Sequence, residues 1–552
     1  MNAHVRRRAL LAGAAALPFA GCTRTAPAAY GGGWVGANVE RGHRFREATA
    51  PNAGALPAPA WQRRVGVLIV GAGVAGLAAA RALAQRGVDD VHVVDIEDAA
   101  GGNSRGHRMS GMDCPLGAHY LPVPGEHATE VAELLEAFGL RRNVAGAPAY
   151  DERHLCHSPQ ERLHIDGRWV EGLLPPIAAL PTNEQAATLA QYRQFALIVE
   201  QAMSMKSAFA IPTARSAWSP ALDALDAVAF APWLDAQGLG APALRWYLDY
   251  CCRDDYGAGA AHVSAWAGVH YFASRHGFHV PGERTDGGLD RDALLTWPEG
   301  NGWLSRRLAE PLRERLHVGL IALRVTEGRS DVSVDLWNAP EQRAERWTAP
   351  QVIIALPLFI AARLLAAPPA ALVQAAASMR YAPWLVGNLH IDKPLADHPG
   401  AELSWDNVIY APGATAASSL GYVDAMHQST RRLPGPTVLT AYWALGGDSP
   451  AQLAAQRQRL LSDPWSTWAQ AVVADLARVH PDLPEKVTQV DLMRYGHAMS
   501  IPIPGLRSSA ALRALAEPQR RVHFAHADLS GYSVFEEAMY HGVRAGRLAS
   551  GV

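Results

Sequence analysis

The chain has few lysines, few cysteines and no long apolar run beyond its first residues, and each shortage excludes a class of function. Only three of its 552 residues are lysines, and the formal net charge is −2. No basic stripe or stacking platform stands out, so nucleic acid is not expected as a partner. The five cysteines single out no disulfide pair, and no cluster has the spacing of metal ligands. We therefore expect neither a metal site nor a transmembrane helix.

The first 22 residues are typical of an export signal. Three arginines, residues 6–8, precede an apolar stretch, residues 9–21, that is too short to span a bilayer. The arginines fit the twin-arginine pattern, and the stretch ending at Cys22 resembles a lipoprotein cleavage box. We therefore predict twin-arginine export of a folded protein, either periplasmic or membrane-anchored through a lipid on Cys22. The Pro/Gly/Ala-rich residues 23–62 are predicted to be a linker.

The most informative stretch is residues 65–103. An apolar strand is predicted at 67–70, a helix at 74–86 and a second strand at 91–94. The first turn carries a G-x-G-x-x-G pattern. Asp95, at the end of the second strand, follows the last glycine of this pattern by 19 residues, where a carboxylate accepts from a ribose hydroxyl. This unit predicts that the chain binds a dinucleotide.

Each residue of the turn has a physical task. Gly71 permits the tight turn, Gly73 lets the backbone approach a pyrophosphate, and Gly76 lets helix and strand pack closely. Val74 and Ala75 open the helix, whose N-terminus carries free N–H donors and partial positive charge. These five residues are the predicted pyrophosphate site.

Two further segments favour FAD over NAD. The first is the doublet Gly101-Gly102, which brings a second backbone loop to the pyrophosphate. The second is the stretch 521–547, predicted as a strand, an acid at Asp528, a glycine turn and a final helix from about Val534. An NAD-dependent dehydrogenase leaves both segments unexplained.

With these motifs, the chain resembles the flavin-containing amine oxidoreductase family, which includes monoamine and polyamine oxidases. The resemblance rests on Asp95 with Gly101-Gly102, on the stretch 347–357 that leads into an Ala-x-Pro turn, and on the stretch 524–532. It implies an α/β fold: a Rossmann-type FAD-binding domain with an interleaved α+β substrate or cap domain. It also implies FAD as cofactor, with Asp528 near the ribityl chain and Ser533 and Val534 against the cofactor.

The departures from the family pattern carry information as well. Asn103 stands where the family usually has arginine, and Arg105 is the residue that can reach the pyrophosphate instead. The strand at 384–391 has no lysine, although many amine oxidases place one near the flavin, and Asn388 is its most obvious inward polar group. No cysteine follows Cys252, so the FAD is expected to be noncovalent.

The 552 residues, 49% of them hydrophobic, are enough for two or more domains with large cores. Both predicted domains are built from separate pieces of chain. The FAD-binding domain is predicted at 63–150, 296–383 and 494–552, and the substrate or cap domain at 151–295 and 384–493. A helix is predicted at 451–479.

Three segments are candidates for the substrate pocket. On a helix, the stretch 264–272 places Trp266 and His270 on one face. Asn301 lies between tryptophans at a glycine turn, and His497 lies just before the last FAD motif. We predict His497, Asn388 and His270 as the catalytic residues.

The sequence leaves three functions open. The first is hydride transfer to flavin N5 from a small amine or amine-like molecule. The second is a desaturase or oxidase of an apolar, polyene or porphyrin-like substrate, and the third is a flavin-binding electron-transfer partner protein. The substrate, the electron acceptor and the oligomeric state are not predicted.

Overall fold

The structure is a computed structural model, and it leaves the predicted export signal, Cys22 and the first part of the linker outside the described residues. The described residues are 30–50, 52–275, 277–283, 293–396, 398–412, 419–428, 433–447 and 449–551.

The described chain contains runs of several strands and runs of several helices as well as alternating elements. The strands are β1 (Gly31–Trp34), β2 (Trp61–Arg64), β3 (Val67–Val70), β4 (Val91–Asp95), β5 (Gly106–Met109), β6 (Met112–Pro115), β7 (Tyr120–Pro122), β8 (Arg141–Val144), β9 (Ala147–Tyr150), β10 (Glu161–Ile165), β11 (Arg168–Glu171), β12 (Leu294–Thr296), β13 (Leu316–Val318), β14 (Leu320–Glu327), β15 (Val332–Asn338), β16 (Arg343–Ala349), β17 (Gln351–Ile354), β18 (Tyr381–Ile391), β19 (Asp406–Ile409), β20 (Ser419–Asp424), β21 (Thr437–Ala444), β22 (Val487–Ser500) and β23 (Val522–Phe524). The α-helices are α1 (Val39–Ala48), α2 (Val74–Ala84), α3 (Thr129–Ala137), α4 (Thr182–Ser204), α5 (Pro220–Asp226), α6 (Phe230–Ala236), α7 (Pro242–Tyr256), α8 (Ala265–Ala273), α9 (Gly302–Ala309), α10 (Leu358–Leu364), α11 (Ala370–Ser378), α12 (Pro450–Ser462), α13 (Trp465–Ala477), α14 (Ala510–Ala516) and α15 (Phe535–Ala549).

A five-stranded parallel sheet in the order β13-β4-β3-β17-β23 forms the centre of the nucleotide-binding region. Every residue of β3 is buried, as expected for a strand covered on both faces. Val67 and Ile69 pack against α2 and α15, whereas Leu68 and Val70 face the four-stranded sheet β14-β15-β16-β2. The result is the layered α/β arrangement predicted from the sequence.

The last helix packs tightly on the first helix of the nucleotide fold. A Cβ atom on Gly542 of α15 would lie 2.2 Å from the carbonyl oxygen of Ala75, and one on Gly546 would lie 2.6 Å from that of Ala79. Since only glycine allows this approach, α15 and α2 are held in one register. The first and the last of the predicted cofactor motifs, which precede α2 and α15, therefore lie side by side.

A second, eight-stranded sheet in the order β1-β22-β18-β21-β20-β19-β10-β11 forms the other large region. Residues of β18, β21 and β22 pack on α12 and α13, and the opposite side of this sheet joins a core with the helices α4 to α8. None of the described helices is both long enough and apolar enough to cross a membrane.

Two sequence predictions need correction. The predicted helix at 451–479 is two helices, α12 and α13, because the chain turns to extended backbone at Asp463 and Pro464 cannot continue a helix. The stretch 347–357 is not one strand, because β16 ends at Ala349 and β17 begins at Gln351 in a different sheet. The remaining domain boundaries stay predictions.

Candidate active site

A single cavity of about 490 Å³ joins the nucleotide motifs to the eight-stranded sheet. One end is lined by the turn before α2, the loop after β4 and the start of α15. The other end is lined by side chains from β7, α7, β18, β21 and β22. We call these the nucleotide end and the substrate end.

Glycine backbone forms the wall of the nucleotide end. Gly71 has φ of +106°, and a Cβ there would lie 2.4 Å from the carbonyl oxygen of Ala355. Gly73 and Gly101 form a parallel β-bridge, so the two predicted loops meet directly. Gly76 lies one turn into α2, where a Cβ would be 1.9 Å from the carbonyl oxygen of Gly71. The contacts of Gly71 and Gly76 agree with the close packing expected of them from the sequence, and Gly73 stays the residue predicted to approach a pyrophosphate.

Asp95 lines the cavity, but its carboxylate also holds the loop around it. Oδ2 accepts from the N–H of Ala72 at 2.6 Å and Oδ1 from that of Glu97 at 2.8 Å. Burial raises the pKa of Asp95, and these two N–H groups and Arg105 lower it. Asp95 thus fixes the turn and also borders the site predicted for a ribose.

Asp528 lies at the end of the last motif, as predicted, and it is fully buried. Oδ2 accepts from the Leu358 N–H at 2.9 Å and from the Tyr381 hydroxyl at 2.5 Å. Burial opposes ionisation, but His526, Tyr381 and the Leu358 N–H together lower the pKa of Asp528. Its Oδ1 makes no hydrogen bond within the protein and lies 3.2 Å from His526 Nδ1.

The start of α15 completes this end. Val534 is the N-cap residue of the helix, and Ser533 Oγ accepts from the Ser500 N–H at 3.2 Å. Both residues line the cavity, as do Val74 and Ala75 at the start of α2. Two helix N-termini, with their free N–H groups, therefore face the same space.

Asn103 and Arg105 also line the cavity, beside Gly102. Asn103 Nδ2 donates to the Ala498 carbonyl at 2.6 Å. Arg105 is buried, and its Nε donates to the Gly102 carbonyl at 3.1 Å. Arg105 thus carries a permanent charge beside the glycine doublet, which is where the sequence predicts that it reaches a pyrophosphate.

These features fit FAD. The glycine wall leaves room that side chains would fill, and the buried Asp528 Oδ1 is an acceptor without a protein donor, as a ribityl hydroxyl requires. No cysteine is among the described residues that line the cavity. Among the described residues, no group of three His, Cys, Asp or Glu side chains is arranged to hold a metal ion.

Of the three residues predicted to be catalytic, His497 lies in the cavity. Its ring packs on Phe359, with 4.6 Å between centroids, and on Tyr381 at 5.9 Å. Burial, assisted by Arg457 and Arg363, lowers the pKa of His497 to about 4. The imidazole is therefore neutral near pH 7.

Asn388 is not brought into the site, contrary to the prediction. It is fully buried on the sheet, where Nδ2 donates to the Pro115 carbonyl at 2.9 Å. Its Oδ1 accepts from the Thr440 hydroxyl at 2.7 Å. Asn388 does not line the cavity, because its polar atoms form hydrogen bonds that connect β18 to β6 and β21.

His270 is also outside the cavity, contrary to the prediction. Trp266 and His270 share a helix face as expected, with 4.6 Å between their ring centroids. His270 Nε2 lies 2.9 Å from the Ala210 carbonyl, and burial lowers its pKa to about 3. This histidine belongs to the helical core. Asn301 does line the cavity, and its Oδ1 is a buried acceptor without a partner in the protein.

The sequence analysis missed the side chains that define the substrate end. His119 stacks on Tyr442 with 4.2 Å between centroids and contacts Tyr120 and Trp405 at 5.0 and 5.3 Å. Burial lowers the pKa of His119 to about 3. The substrate end is therefore an aromatic pocket with a neutral imidazole in its wall.

Asp254 supplies this pocket with a carboxylate. Its Oδ2 lies 3.4 Å from the Tyr120 hydroxyl, and Asp254 faces the cavity from α7. Burial, and then the neighbouring Asp255, raises the pKa of Asp254 to about 7. Asp255 itself pairs with Arg275 at 3.1 Å. The available signal was two adjacent acids on an otherwise buried helix, a pattern that marks functional sites.

The family of the chain follows from its sequence. The profile of the family described as flavin containing amine oxidoreductase matches residues 74–549. The chain therefore belongs to this family of FAD-dependent oxidoreductases, as the resemblance implied, and FAD is its cofactor. Polyamine oxidase 7 from Oryza sativa subsp. japonica is 28% identical over 107 residues, which is 18% of this chain and 23% of that protein.

Solved structures show the same fold. A putrescine oxidase bound to putrescine matches with a TM-score of 0.61 and 20% identity, over 88% of this chain and 99% of that one. Cyclohexylamine oxidase from Brevibacterium oxydans IH-35A matches with a TM-score of 0.60 and 19% identity, over 88% of this chain and 98% of that one. A fatty acid isomerase from P. acnes matches with a TM-score of 0.57 and 13% identity, over 87% and 97%.

Proposed function

We propose that this protein oxidises a cationic amine, whose ammonium group is recognised by Asp254 within the aromatic pocket. The observation that carries the proposal is the cavity-facing carboxylate of Asp254 beside the stacked rings of His119 and Tyr442. A carboxylate attracts an ammonium group, and aromatic faces favour cations as well. The printed names of two structures with this fold, putrescine oxidase and cyclohexylamine oxidase, agree with an amine substrate.

The charges behind the pocket strengthen this argument. Burial, and then Asp254 and Glu161, raises the pKa of Asp406 well above its ordinary value. In this poorly solvated region Asp254 and Glu161 therefore oppose ionisation of Asp406, and Asp255 opposes that of Asp254. A bound cation relieves this repulsion, so the free energy of binding favours a substrate with positive charge.

Asp254 can also hold the proton that an amine must lose. A protonated nitrogen opposes loss of hydride from its neighbouring carbon, and deprotonating an alkyl amine of pKa about 10.4 at pH 7 costs roughly 4–5 kcal/mol. An acceptor of pKa about 7 is suited to this transfer near neutral pH. The ammonium would give its proton to the Asp254 carboxylate, and the C–H bond of the neutral amine would then break, its hydride passing to the acceptor and leaving a protonated imine.

FAD, when bound, supplies the acceptor for the hydride equivalent. The protein holds it through the glycine wall and the helix N-termini, with Arg105 and Asp528 beside it. His119, Tyr120 and Tyr442 orient the substrate and exclude water from the reacting carbon. The FAD is proposed to be noncovalent, since no described cavity residue is a cysteine.

Anaerobic mixing of the FAD-loaded enzyme with amines tests the proposal. We expect putrescine or cyclohexylamine to bleach the flavin absorbance near 450 nm, a generic flavin band at about this value, and N-acetylated analogues to leave it unchanged. The matched control is Asp254→Asn, which should still bind FAD but lose reduction by amines. Equal reduction of parent and variant would contradict the role of Asp254.

An apolar substrate remains the second candidate. The observations that favour it are the absence of lysine from β18 and the fold shared with a fatty acid isomerase. This candidate would be selected if a polyene or fatty acid reduced the flavin, or was itself isomerised by the protein, while amines had no effect on the flavin. If FAD is bound but neither kind of substrate changes its absorbance, the third function, a flavin-binding electron-transfer partner protein, would be selected.

Twin-arginine export, with the product periplasmic or lipid-anchored at Cys22, also stands as a proposal from residues 1–22. Expression of the full chain and of an Arg7→Lys, Arg8→Lys variant tests it. The parent is expected outside the cytoplasm and the variant inside it. A Cys22→Ala variant that stays in the membrane fraction would contradict lipid anchoring.

A further inference from the structure

The residues before the nucleotide motif form an ordered N-terminal arm, residues 30–50. They lie outside the family match, which begins at residue 74. Strand β1 of the arm pairs in parallel with β22, with Gly31 opposite Gln489 and Trp34 opposite Leu492. The Arg494 guanidinium lies 4.5 Å from the ring centroid of Trp34. This half of the arm is therefore part of the eight-stranded sheet.

The other half of the arm is fixed to the nucleotide-binding region. The N–H of Asn38, the N-cap of α1, donates to Glu97 Oε2 at 3.0 Å. Arg41 donates to the Ile96 carbonyl at 2.9 Å and pairs with Asp98 at 2.7 Å. These three acceptors lie in the loop between β4 and the glycine doublet. The arm thus bridges the two regions that enclose the cavity.

The turn between the two halves reaches the cavity itself. Ala37 lines the nucleotide end, and the Gly36 carbonyl accepts from Arg105 Nη1 at 2.9 Å. Gly36 has φ of +83°, and a Cβ there would lie 2.6 Å from the Met493 sulfur. Glycine is therefore required for the turn to sit against β22 while its carbonyl holds the arginine.

Arg105 matters because positive charge is scarce in this cavity. Among the described residues that line it, arginine occurs twice and lysine does not occur. Arg275 is paired with Asp255 at 3.1 Å, whereas Arg105 lies beside Gly102, with its Nη1 at a longer 3.8 Å from Glu97 Oε2. Asn103 provides no charge. The cation available to a pyrophosphate at the glycine wall is therefore Arg105, in addition to the helix N-termini.

We propose that the N-terminal arm is part of the FAD site: its Gly36–Ala37 turn closes the nucleotide end and positions Arg105 for the pyrophosphate. The arm then contributes to FAD affinity, although it lies outside the family match. This inference rests on FAD binding and is independent of which substrate is oxidised.

Two glycine substitutions in the full-length chain test the position of the turn. Gly36→Ala places a methyl group against Met493 in a backbone conformation that alanine rarely adopts. Gly33→Ala, in the same arm, is the matched control, because a Cβ there has no neighbour within 4 Å. We expect Gly36→Ala to raise the dissociation constant of FAD about tenfold or more, measured by quenching of flavin fluorescence. Gly33→Ala should bind FAD like the parent.

A second pair isolates the electrostatic contribution. Ala37→Glu and Ala37→Gln add side chains of nearly equal size to the cavity wall, but only the first adds a negative charge. We expect Ala37→Glu to bind FAD about fivefold or more weakly than Ala37→Gln at low salt, with the difference shrinking in about 0.5 M salt. An effect of bulk alone would be equal in both variants and independent of salt.

The outcomes separate the arm from the amine chemistry. Folded Gly36→Ala that binds FAD as tightly as the parent would overturn the proposal, as would identical FAD affinities for the two Ala37 variants. If Gly36→Ala does not fold, the Ala37 pair decides the matter. Parent enzyme that is not reduced by amines would refute the proposed function and leave these affinities as a valid test of the arm.

Discussion

The two ends of the cavity are built from different materials. The nucleotide end is largely backbone, and Cβ atoms on its Gly71 and Gly101 would collide with neighbouring carbonyl oxygens. The substrate end is made of side chains, and Tyr120, Asp254 and Tyr442 come from β7, α7 and β21. A backbone site depends on glycines that no other residue type can replace. A side-chain site depends on residues scattered along the chain, each of which can be exchanged alone.

The comparison predicts that the largest effects of substitution lie at the nucleotide end. Gly76→Val would place its Cβ 1.9 Å from the Gly71 carbonyl oxygen, so that α2 could no longer pack on β3. We expect a loss of more than about 4 kcal/mol in the free energy of unfolding, and no bound FAD. Thermal unfolding and the flavin content of purified protein measure this. Ala84→Val, on an exposed position of the same helix, should behave like the parent.

At the substrate end, Asp254→Asn should leave FAD binding intact and remove the charge that pairs with an amine. Truncating one partner of a buried ion pair costs about 2–5 kcal/mol, so kcat/KM for amines should fall by about 10²-fold or more. Steady-state kinetics and an FAD titration on the same preparation separate the two ends. A loss of FAD together with activity would contradict the division of the cavity.

Asp254 also predicts a dependence on pH. Its pKa is raised to about 7 in the folded state, so the folded protein binds this proton more tightly than the unfolded chain does. The stability contributed by this group is present at low pH and is lost as pH rises through about 7. Because asparagine does not titrate, the Asp254→Asn variant does not lose this stability as pH rises. The difference in Tm, variant minus parent, should therefore be larger at pH 8 than at pH 5.

A smaller effect is expected at His119. Because its pKa is about 3, the imidazole is neutral at working pH and acts in the wall through its ring. His119→Phe preserves the stack on Tyr442 and should keep kcat/KM within about threefold, since such ring pairs contribute about 0.5–1.5 kcal/mol. His119→Ala should lose about tenfold. A changed pH–rate profile in His119→Phe would instead make His119 a proton carrier.

The smallest effect on turnover is expected at Asn388, although the loss of stability should be clear. Asn388→Ala leaves the Pro115 carbonyl and the Thr440 hydroxyl without their partner and should cost about 1–3 kcal/mol of unfolding free energy. The kcat of the folded enzyme should not change. Asn143→Ala, at an exposed turn, provides the control, with an expected cost of under about 0.5 kcal/mol.

The same contrast explains what could be predicted from the sequence. Gly71, Gly73 and Asp95 were predicted because a phosphate-binding turn fixes residue types at fixed spacing, and the structure places all three at the nucleotide end of the cavity. Asn388 and His270 were chosen for their polarity and position, but their buried polar atoms bond to the protein instead. Asp254 was missed because its role depends on β7 and β21 meeting α7 in space. No local pattern encodes that meeting.

The packing of α15 on α2 has a consequence for biosynthesis. The cavity wall includes residues from Ala37 to Ala538, and the strand β23 that precedes α15 is the edge of the central sheet. A ribosome-bound chain therefore has no complete cofactor site until residue 538 has been translated and α15 has emerged. We therefore expect FAD to be taken up only after α15 has been synthesised, and a product truncated before α15 should be unable to keep the cofactor.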